Sequence, residues 1–313
     1  MSSINTNASA LTALQSLNAT NKALETTQSR ISTGFRVSTA SDNAAYWSIA
    51  TTMRSDNKAN SVLQDALGLG AGKVDTAYTA MNSAIDVVDQ IKEKVLLAKT
   101  SSTDDRAKIQ SEITELQNQL KDNIGGANYA GSNLLKTDAS VAGTKLTVMT
   151  SYNRDSTGKV STGTIDVTND STRLIDSRTG SAGTKTGILD KQFAITTGTG
   201  GTQTSILDLK VSGTGAASTS TAFDNMLTGI ETALKGMATG AATLGAAKAR
   251  IDMQKDFVSK LSDSIDRGVG QLVDADMNKE STRLQALQVQ QQLGIQALSI
   301  ANSNTQQILS LFR

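Results

Sequence analysis

Apolar residues recur at every seventh position over two long stretches, one toward each end of the chain. Ile230, Met237, Leu244, Ile251, Val258, Ile265 and Leu272 form one stripe, with Ala233, Ala247, Leu261 and Ala275 beside it. Val74, Met81, Val88 and Val95 form another, paired with Ala77, Ala84, Ile91 and Ala98. A seven-residue repeat keeps one face of a helix turned to a partner helix over many turns. Proline, which removes a hydrogen bond and clashes with the preceding turn of a helix, is absent from all 313 residues. The pattern predicts a mainly α protein of long antiparallel coiled-coil helices drawn from both chain ends. Such a layout makes a rod rather than a pocket.

The remaining composition narrows the chemistry. Thirty basic and 29 acidic residues leave a formal charge of +1, so no long-range field gathers nucleic acid or anionic lipid. Cysteine and histidine are both absent, which excludes disulfides, thiolate nucleophiles, Cys/His zinc sites and histidine acid–base devices. No catalytic residue, cofactor or metal is expected. Asp104-Asp105 reads as helix capping rather than carboxylate catalysis. Gly198 to Gly201 is glycine-rich but lacks the Lys and Ser/Thr of a phosphate loop. The start, Met-Ser-Ser-Ile-Asn-Thr-Asn, has no basic n-region, apolar h-region or cleavage site. No apolar run reaches the roughly 18 residues of a membrane span, so no membrane insertion is expected. Taken alone these features place the chain in the cytosol, unless export uses a route without a cleaved signal.

Along the chain, residues 3 to 32 carry a narrow helical stripe of Ile4, Leu11, Leu14, Leu17, Leu24 and Ile31, set among uncharged polar residues. A helix of this kind is marginal in isolation, because stability comes from packing an amphipathic face. Gly34 interrupts it, Ser38 to Asn43 reads as a turn, and Asp42 or Ser41 is the expected N-cap of the next helix. That helix runs from Ala44 to about Thr100, roughly 80 Å at the α-helical rise. Gly68, Gly70 and Gly72 either weaken it or permit a close crossing. After a break at Ser101 to Asp105, a third helix carries Ile109, Ile113, Leu116, Leu120 and Ile124, with Gly125-Gly126 as its expected C-cap. Residues 141 to 220 are dominated by Gly, Ser and Thr. Strand-like runs lie at Lys145 to Thr150, Gly163 to Val167, Gln192 to Thr196 and Ser205 to Val211, predicting a small, mainly β insert with polar surfaces. The heptads resume from about Ala222, and a last helix carries Leu284, Leu287, Leu298, Ala301, Ile308 and Phe312. The halves mirror one another, which sets the termini at one end and the insert at the other. By spacing alone the heptads serve either an intramolecular bundle or subunit assembly; the thin apolar stripes of the terminal helices favour assembly.

Particular segments carry a family likeness. Ile4-Asn5-Thr6-Asn7, Leu11 to Leu17, Arg30-Ile31-Ser32-Thr33-Gly34-Phe35-Arg36-Val37 and Ser41-Asp42-Asn43-Ala44-Ala45 stand near the start. Asp274 to Ser281, Leu293 to Ile300 and Ala301-Asn302-Ser303 to Phe312 stand near the end. Over roughly residues 1 to 135 and 225 to 313 the chain resembles the bacterial flagellins. The short insert and Tyr46-Trp47-Ser48-Ile49-Ala50 look most like those of α-proteobacteria such as the rhizobia. The resemblance implies a structural subunit that self-assembles into the flagellar filament for swimming. A junction protein joining hook to filament is the alternative; the match at both ends and the insert favour the filament subunit.

The resemblance also implies an organisation: residues 1–42 and 273–313 as an inner coiled-coil domain, 43–140 and 223–272 as a helical-bundle domain, and 141–222 as a variable, surface-exposed β-rich outer domain. Leu11, Leu14, Leu17, Leu24, Ile31, Leu284, Leu287, Leu298, Ile308 and Phe312 are then the assembly residues of the inner helices, and Val74 to Val95 with Ile230 to Ile265 the heptad core. The implied partners are other copies in a helical homopolymer, with or without further flagellins, and the export apparatus, export chaperone, cap and hook-junction proteins. Export through the flagellum's own channel would place the chain outside the cell without a signal peptide. Two receptor-read segments carry over. The one read by plant receptors corresponds to Ser29 through Ala50, where Arg30, Gly34, Arg36 and Asp42 match and Ser41, Asn43 and Tyr46 depart. The one read by an animal Toll-like receptor resembles Gln-Arg-Val-Arg-Glu-Leu and aligns with Asp89, Gln90, Ile91, Lys92, Glu93 and Lys94. Gln90 and Lys94 there lose a guanidinium fork and an apolar contact, so a weak response is expected.

Overall fold

The computed structural model describes residues 7–139, 145–155, 157–178, 185–195, 202–212 and 219–310, with side chains described as far as residue 303. The described residues form α1 (Ala8–Thr33), α2 (Ala44–Thr100), α3 (Thr103–Gly126), α4 (Ser220–Val273) and α5 (Met277–Ser310). Between α3 and α4 lie β1 (Lys136–Thr137), β2 (Lys145–Arg154), β3 (Val160–Thr168), β4 (Ile175–Asp176), β5 (Phe193–Ala194) and β6 (Gln203–Thr204). The protein is mainly α, with antiparallel long helices from both ends of the chain and a strand-containing insert.

Local chemistry sets the helix ends. Gly34 closes α1 at φ 75°, where its N–H reaches Arg30 O at 2.9 Å, a conformation glycine adopts without a Cβ penalty. The α2 cap departs from expectation. Asn43 Oδ1 accepts the Tyr46 N–H at 3.1 Å, because the Asp42 carboxylate is already taken by the N–H groups of Thr39 (2.9 Å) and Ser38 (3.0 Å). Those backbone bonds hold Asp42 below the usual carboxylate range. At α3, Ser102 Oγ accepts the Asp105 N–H while donating to the Asp105 carboxylate. Gly125 and Gly126 stay helical, and the chain leaves α3 at Ala127.

Two compact units divide the chain: residues 1–58 with 262–313, and residues 59–261. In the second unit α2 and α4 run antiparallel in fixed register. Lys99 pairs with Asp224, Lys92 with Glu231 and Asp75 with Lys248, so each step back along α2 is matched by an equal step forward along α4. Val74, Met81, Val88, Val95, Ile230, Met237, Leu244, Ile251 and Val258 are all fully buried between them. The insert joins the same core: Val148, Ile165, Val167, Leu174, Leu189, Ile195, Ile206 and Leu209 belong to the cluster built by α2, α3 and α4.

Within the insert, β2 and β3 form an antiparallel hairpin with a bulge between Met149 and Ser151. β1–β4 and β5–β6 are two-residue ladders. The Ser205 to Val211 run is not a strand: Ile206–Asp208 is a 3-10 turn, and Gln117 on α3 clamps it by donating to Ile206 O (2.8 Å) and Leu209 O (3.1 Å). Asp176 organises the turn beside β4. Burial opposes its charge, yet N–H donors from Ala139, Arg178 and Thr186 and the Arg178 guanidinium at 2.7 Å outweigh that, holding the carboxyl well below the usual range. Asp190 shows the opposite balance. Burial raises its pKa, and one oxygen accepts the Asp176 N–H while the other has no hydrogen-bond partner among the described residues.

Candidate assembly surfaces

The unit of residues 1–58 and 262–313 is built on the α1/α5 pair. Asn7 donates to Ala301 O at 2.9 Å, Gln291 to Asn21 at 2.9 Å, and Arg30 meets Glu280 at 3.3 Å, which fixes an antiparallel register along the pair. The seam is thin. Leu287 is buried, Leu17, Leu24, Ile31, Leu284 and Leu298 are half-buried, and Leu11 and Leu14 are exposed. The Ile308 side chain and Phe312 lie outside the described residues, as do Ile4 and Gly198 to Gly201. Leu17 packs over Gly294, where an added Cβ would stand 3.2 Å from its methyl. Two buried polar residues in this seam went unrecognised in the sequence. Thr27 is fully covered, and Glu280 is buried with one oxygen on Arg30 and the other unpartnered among the described residues.

Apolar side chains also stand off the seam. Val289, Leu293, Ile295 and Ile300 on α5 are more than half exposed, as is Leu11 on α1. On α5, Val289, Leu293 and Ile300 signal this by apolar character out of phase with Leu284, Leu287 and Leu298, whereas Ile295 stands at the edge of that stripe. A helix that is apolar on a second face has that face left to bury.

A short strap completes this unit. The N–H groups of Arg36 and Val37 both donate to Val273 O, at 2.7 and 3.2 Å, and Ala275 N–H donates to Gly34 O at 2.9 Å. The Arg36 guanidinium reaches Leu272 O at 2.9 Å, and Arg54 stacks 4.6 Å from the Phe35 ring centre. Val37, Ala50, Val269 and Val273 form a small core beneath, against which Ile265 is partly buried. Ile265 thus belongs to a different cluster from the other heptad residues. Arg30, Gly34, Arg36 and Asp42 are each engaged within the subunit: an ion pair, a helix end, a strap bond and a turn.

On α2, Gln90 and Glu93 are exposed, whereas Lys92 and Lys94 are half-buried and ion-paired, to Glu231 on α4 and to Glu112 on α3 (2.5 Å). The Glu231 carboxylate raises the Lys92 pKa. Among the described residues no cluster of acidic side chains is arranged to hold a metal ion, and no helix is long and apolar enough to cross a membrane.

Sequence models of the bacterial flagellin N-terminal and C-terminal helical regions match residues 4–140 and 227–312. A flagellin of Brucella melitensis is 53% identical over 313 aligned residues, covering 100% of both chains. Flagellin C of Rhizobium meliloti is 47% identical over 323, again covering 100% of both. A crystal structure of Bacillus cereus flagellin aligns with 63% of this chain and 88% of its own, at TM-score 0.37 and 20% identity.

Proposed function

Because the chain belongs to the bacterial flagellin family and is a structural subunit of the flagellar filament, we propose that α1 and α5 are the elements through which copies assemble. The carrying observation is the apolar surface left on this pair: Leu11 and Leu14 on α1, and Val289, Leu293, Ile295 and Ile300 on α5. Each gains roughly 25 cal/mol per Å² when a neighbour covers it. A contact repeated head-to-tail without closing generates a helical filament rather than a ring. Residues 1–42 and 273–313 then form the filament's inner layer, 43–140 and 223–272 the next, and 141–222 the outward surface. The half-buried seam residues Leu17, Leu24, Ile31, Leu284 and Leu298 complete their burial in the same step. The heptad residues from Val74 to Val95 and Ile230 to Val258 hold the rigid body that carries these helices.

The same reading makes the chain a non-enzymatic, secreted protein of the extracellular filament, passed through the flagellar export apparatus with a chaperone and assembled under a cap onto hook-junction proteins. Receptors that read Arg30 to Asp42 meet side chains engaged within the subunit. Those that read Gln90 to Lys94 meet Lys92 and Lys94 already ion-paired to Glu231 and Glu112, beside the departures at Ser41, Asn43, Tyr46, Gln90 and Lys94. Both responses are therefore weak, and strong activation by purified protein would count against this. The assembly reading is tested by deleting residues 1–30 or 285–313. Either deletion abolishes seeded polymerisation while circular dichroism retains the α2/α4 body. Filaments from either truncated chain would refute it.

A further inference from the structure

Two clefts open where the insert meets the helices of the unit of residues 59–261, each within the roughly 300–1,000 Å³ typical of small-ligand sites. The first, about 420 Å³, lies between the insert and α4. Gly229 and Gly236 bring the α4 backbone flush with Phe193 and Ile188, where an added Cβ would stand 2.6 Å from the ring and 3.3 Å from the methyl. These two half-buried side chains give the cleft an apolar wall. Its rim is polar: the Thr228 and Thr232 hydroxyls donate to carbonyls one turn back, which leaves their oxygens free to accept. The second cleft, about 440 Å³, lies between the insert and α3 and is walled by charge. Its carboxylates are engaged: Asp176 pairs with Arg178, Asp208 accepts the Ser205 hydroxyl and Asp190 the Asp176 N–H. Lys121, Lys136 and Lys185 form no ion pair among the described residues. Gln192 lines both clefts, and its carboxamide has no hydrogen-bond partner among the described residues.

We propose that the two clefts together bind an acidic oligosaccharide. A pyranose ring has an apolar C–H face and hydroxyl edges, which suits an aromatic and aliphatic wall under a rim of threonine acceptors. At the junction, the Gln192 carboxamide supplies both donor and acceptor, the pair that neighbouring sugar hydroxyls satisfy. The carboxylate of a uronic acid in the next ring then meets Lys121, Lys136 and Lys185. A purely apolar ligand would cover the Gln192 amide without partnering it, at a cost. A polyanion such as nucleic acid finds no gathering field in a chain of net charge +1.

The test is isothermal titration calorimetry of the full-length monomer, which keeps it independent of filament assembly. Trigalacturonate is the probe, with neutral maltotriose and ring-free citrate beside it. Trigalacturonate should bind, and each comparison ligand should bind about tenfold or more weakly, since each keeps only half of the recognition. Lys136→Gln combined with Lys185→Gln should weaken trigalacturonate about tenfold and leave maltotriose unchanged. Gln192→Ala should weaken both sugars about fivefold, the worth of one hydrogen bond. A wild-type circular dichroism spectrum for each variant separates lost binding from lost fold. No binding of trigalacturonate to the wild-type chain up to about 10 mM overturns the proposal. So does citrate binding as tightly as trigalacturonate, or folded variants that bind as the wild type does.

Discussion

Truncating Leu11 and Leu14 together to alanine should separate assembly from folding. In the isolated subunit Leu11 is 71% exposed and Leu14 45%, so the surface still open on the two side chains amounts to a little more than one whole leucine. Full burial of a leucine is worth about 2 kcal/mol, and that gain is withheld until a neighbour arrives. Removing it costs the monomer almost nothing, since the exposed portions contribute little to its folding. It should raise the critical concentration for filament growth about thirtyfold, at about 1.4 kcal/mol per factor of ten. The assay is sedimentation of seeded filaments over a concentration series, paired with thermal melting of the monomer. Alanine favours helix slightly over leucine, so α1 is not weakened by the exchange. An unchanged critical concentration would refute the assignment of this face. A lowered monomer melting temperature would show instead that both residues are already packed.

Three further perturbations probe the body that carries these helices. Leu244→Ala empties a fully buried site in the α2/α4 core and should cost about 3 kcal/mol in denaturant unfolding; a loss below about 1 kcal/mol would mean the seam is not close-packed there. Gly68→Ala and Gly240→Ala should move stability in opposite directions by melting temperature. An added Cβ meets nothing at Gly68 and gains about 1 kcal/mol of helix propensity, but at Gly240 on α4 it would stand 2.7 Å from the Ser171 backbone oxygen, an overlap costing about 1–3 kcal/mol. Asp176 and Asp190 should show opposite pH dependences. Asp176 is held below its ordinary value, so its contribution is full above about pH 4 and is lost as pH falls through its folded value. Burial raises Asp190, so its ionised form costs stability at neutral pH and that cost fades on acidification. Melts across pH 3 to 7 should therefore show Asp176→Ala about 3 kcal/mol less stable near neutrality, with the gap holding down to about pH 4 and only beginning to narrow below it, and Asp190→Asn more stable near neutrality with its advantage closing in acid.

The α2/α4 body was legible because its apolar residues fall on the seam at almost every turn, and nine of the heptad positions from Val74 to Val258 are at most 1% exposed. Capping was less legible, because propensity ranks Asp42 and Asn43 alike while only the fold decides which carboxylate or amide is free. The Ser205 to Val211 run misled because a short apolar stretch reads the same whether it becomes a strand or a turn pressed into a core. Its 3-10 form depends on Gln117, a residue 89 positions away, donating to Ile206 O. The insert's Gly, Ser and Thr similarly masked Val148, Ile165, Leu174 and Leu189, whose spacing matches no single period because they reach the helical core from separate loops and strands. Removing residues 141 to 220 would therefore uncover apolar surface of α2, α3 and α4 as well as shortening the exterior.

The terminal helices pose a different problem. Leu284, Leu287 and Leu298 trace one face of α5, with Ile295 at its edge, while Val289, Leu293 and Ile300 trace the opposite one, so period alone assigns no single seam. For a subunit that packs only against itself such a pattern would be a folding defect, since an exposed apolar face invites nonspecific association. In the assembly proposed above, the two faces would have two partners. Leu287 is buried and Leu17 half-buried over Gly294 within the chain, while Leu11 and Leu293 stay exposed in the subunit and would be left for neighbours. The same pattern therefore keeps the α1/α5 pair weakly packed in the monomer, and its stability becomes a function of subunit concentration.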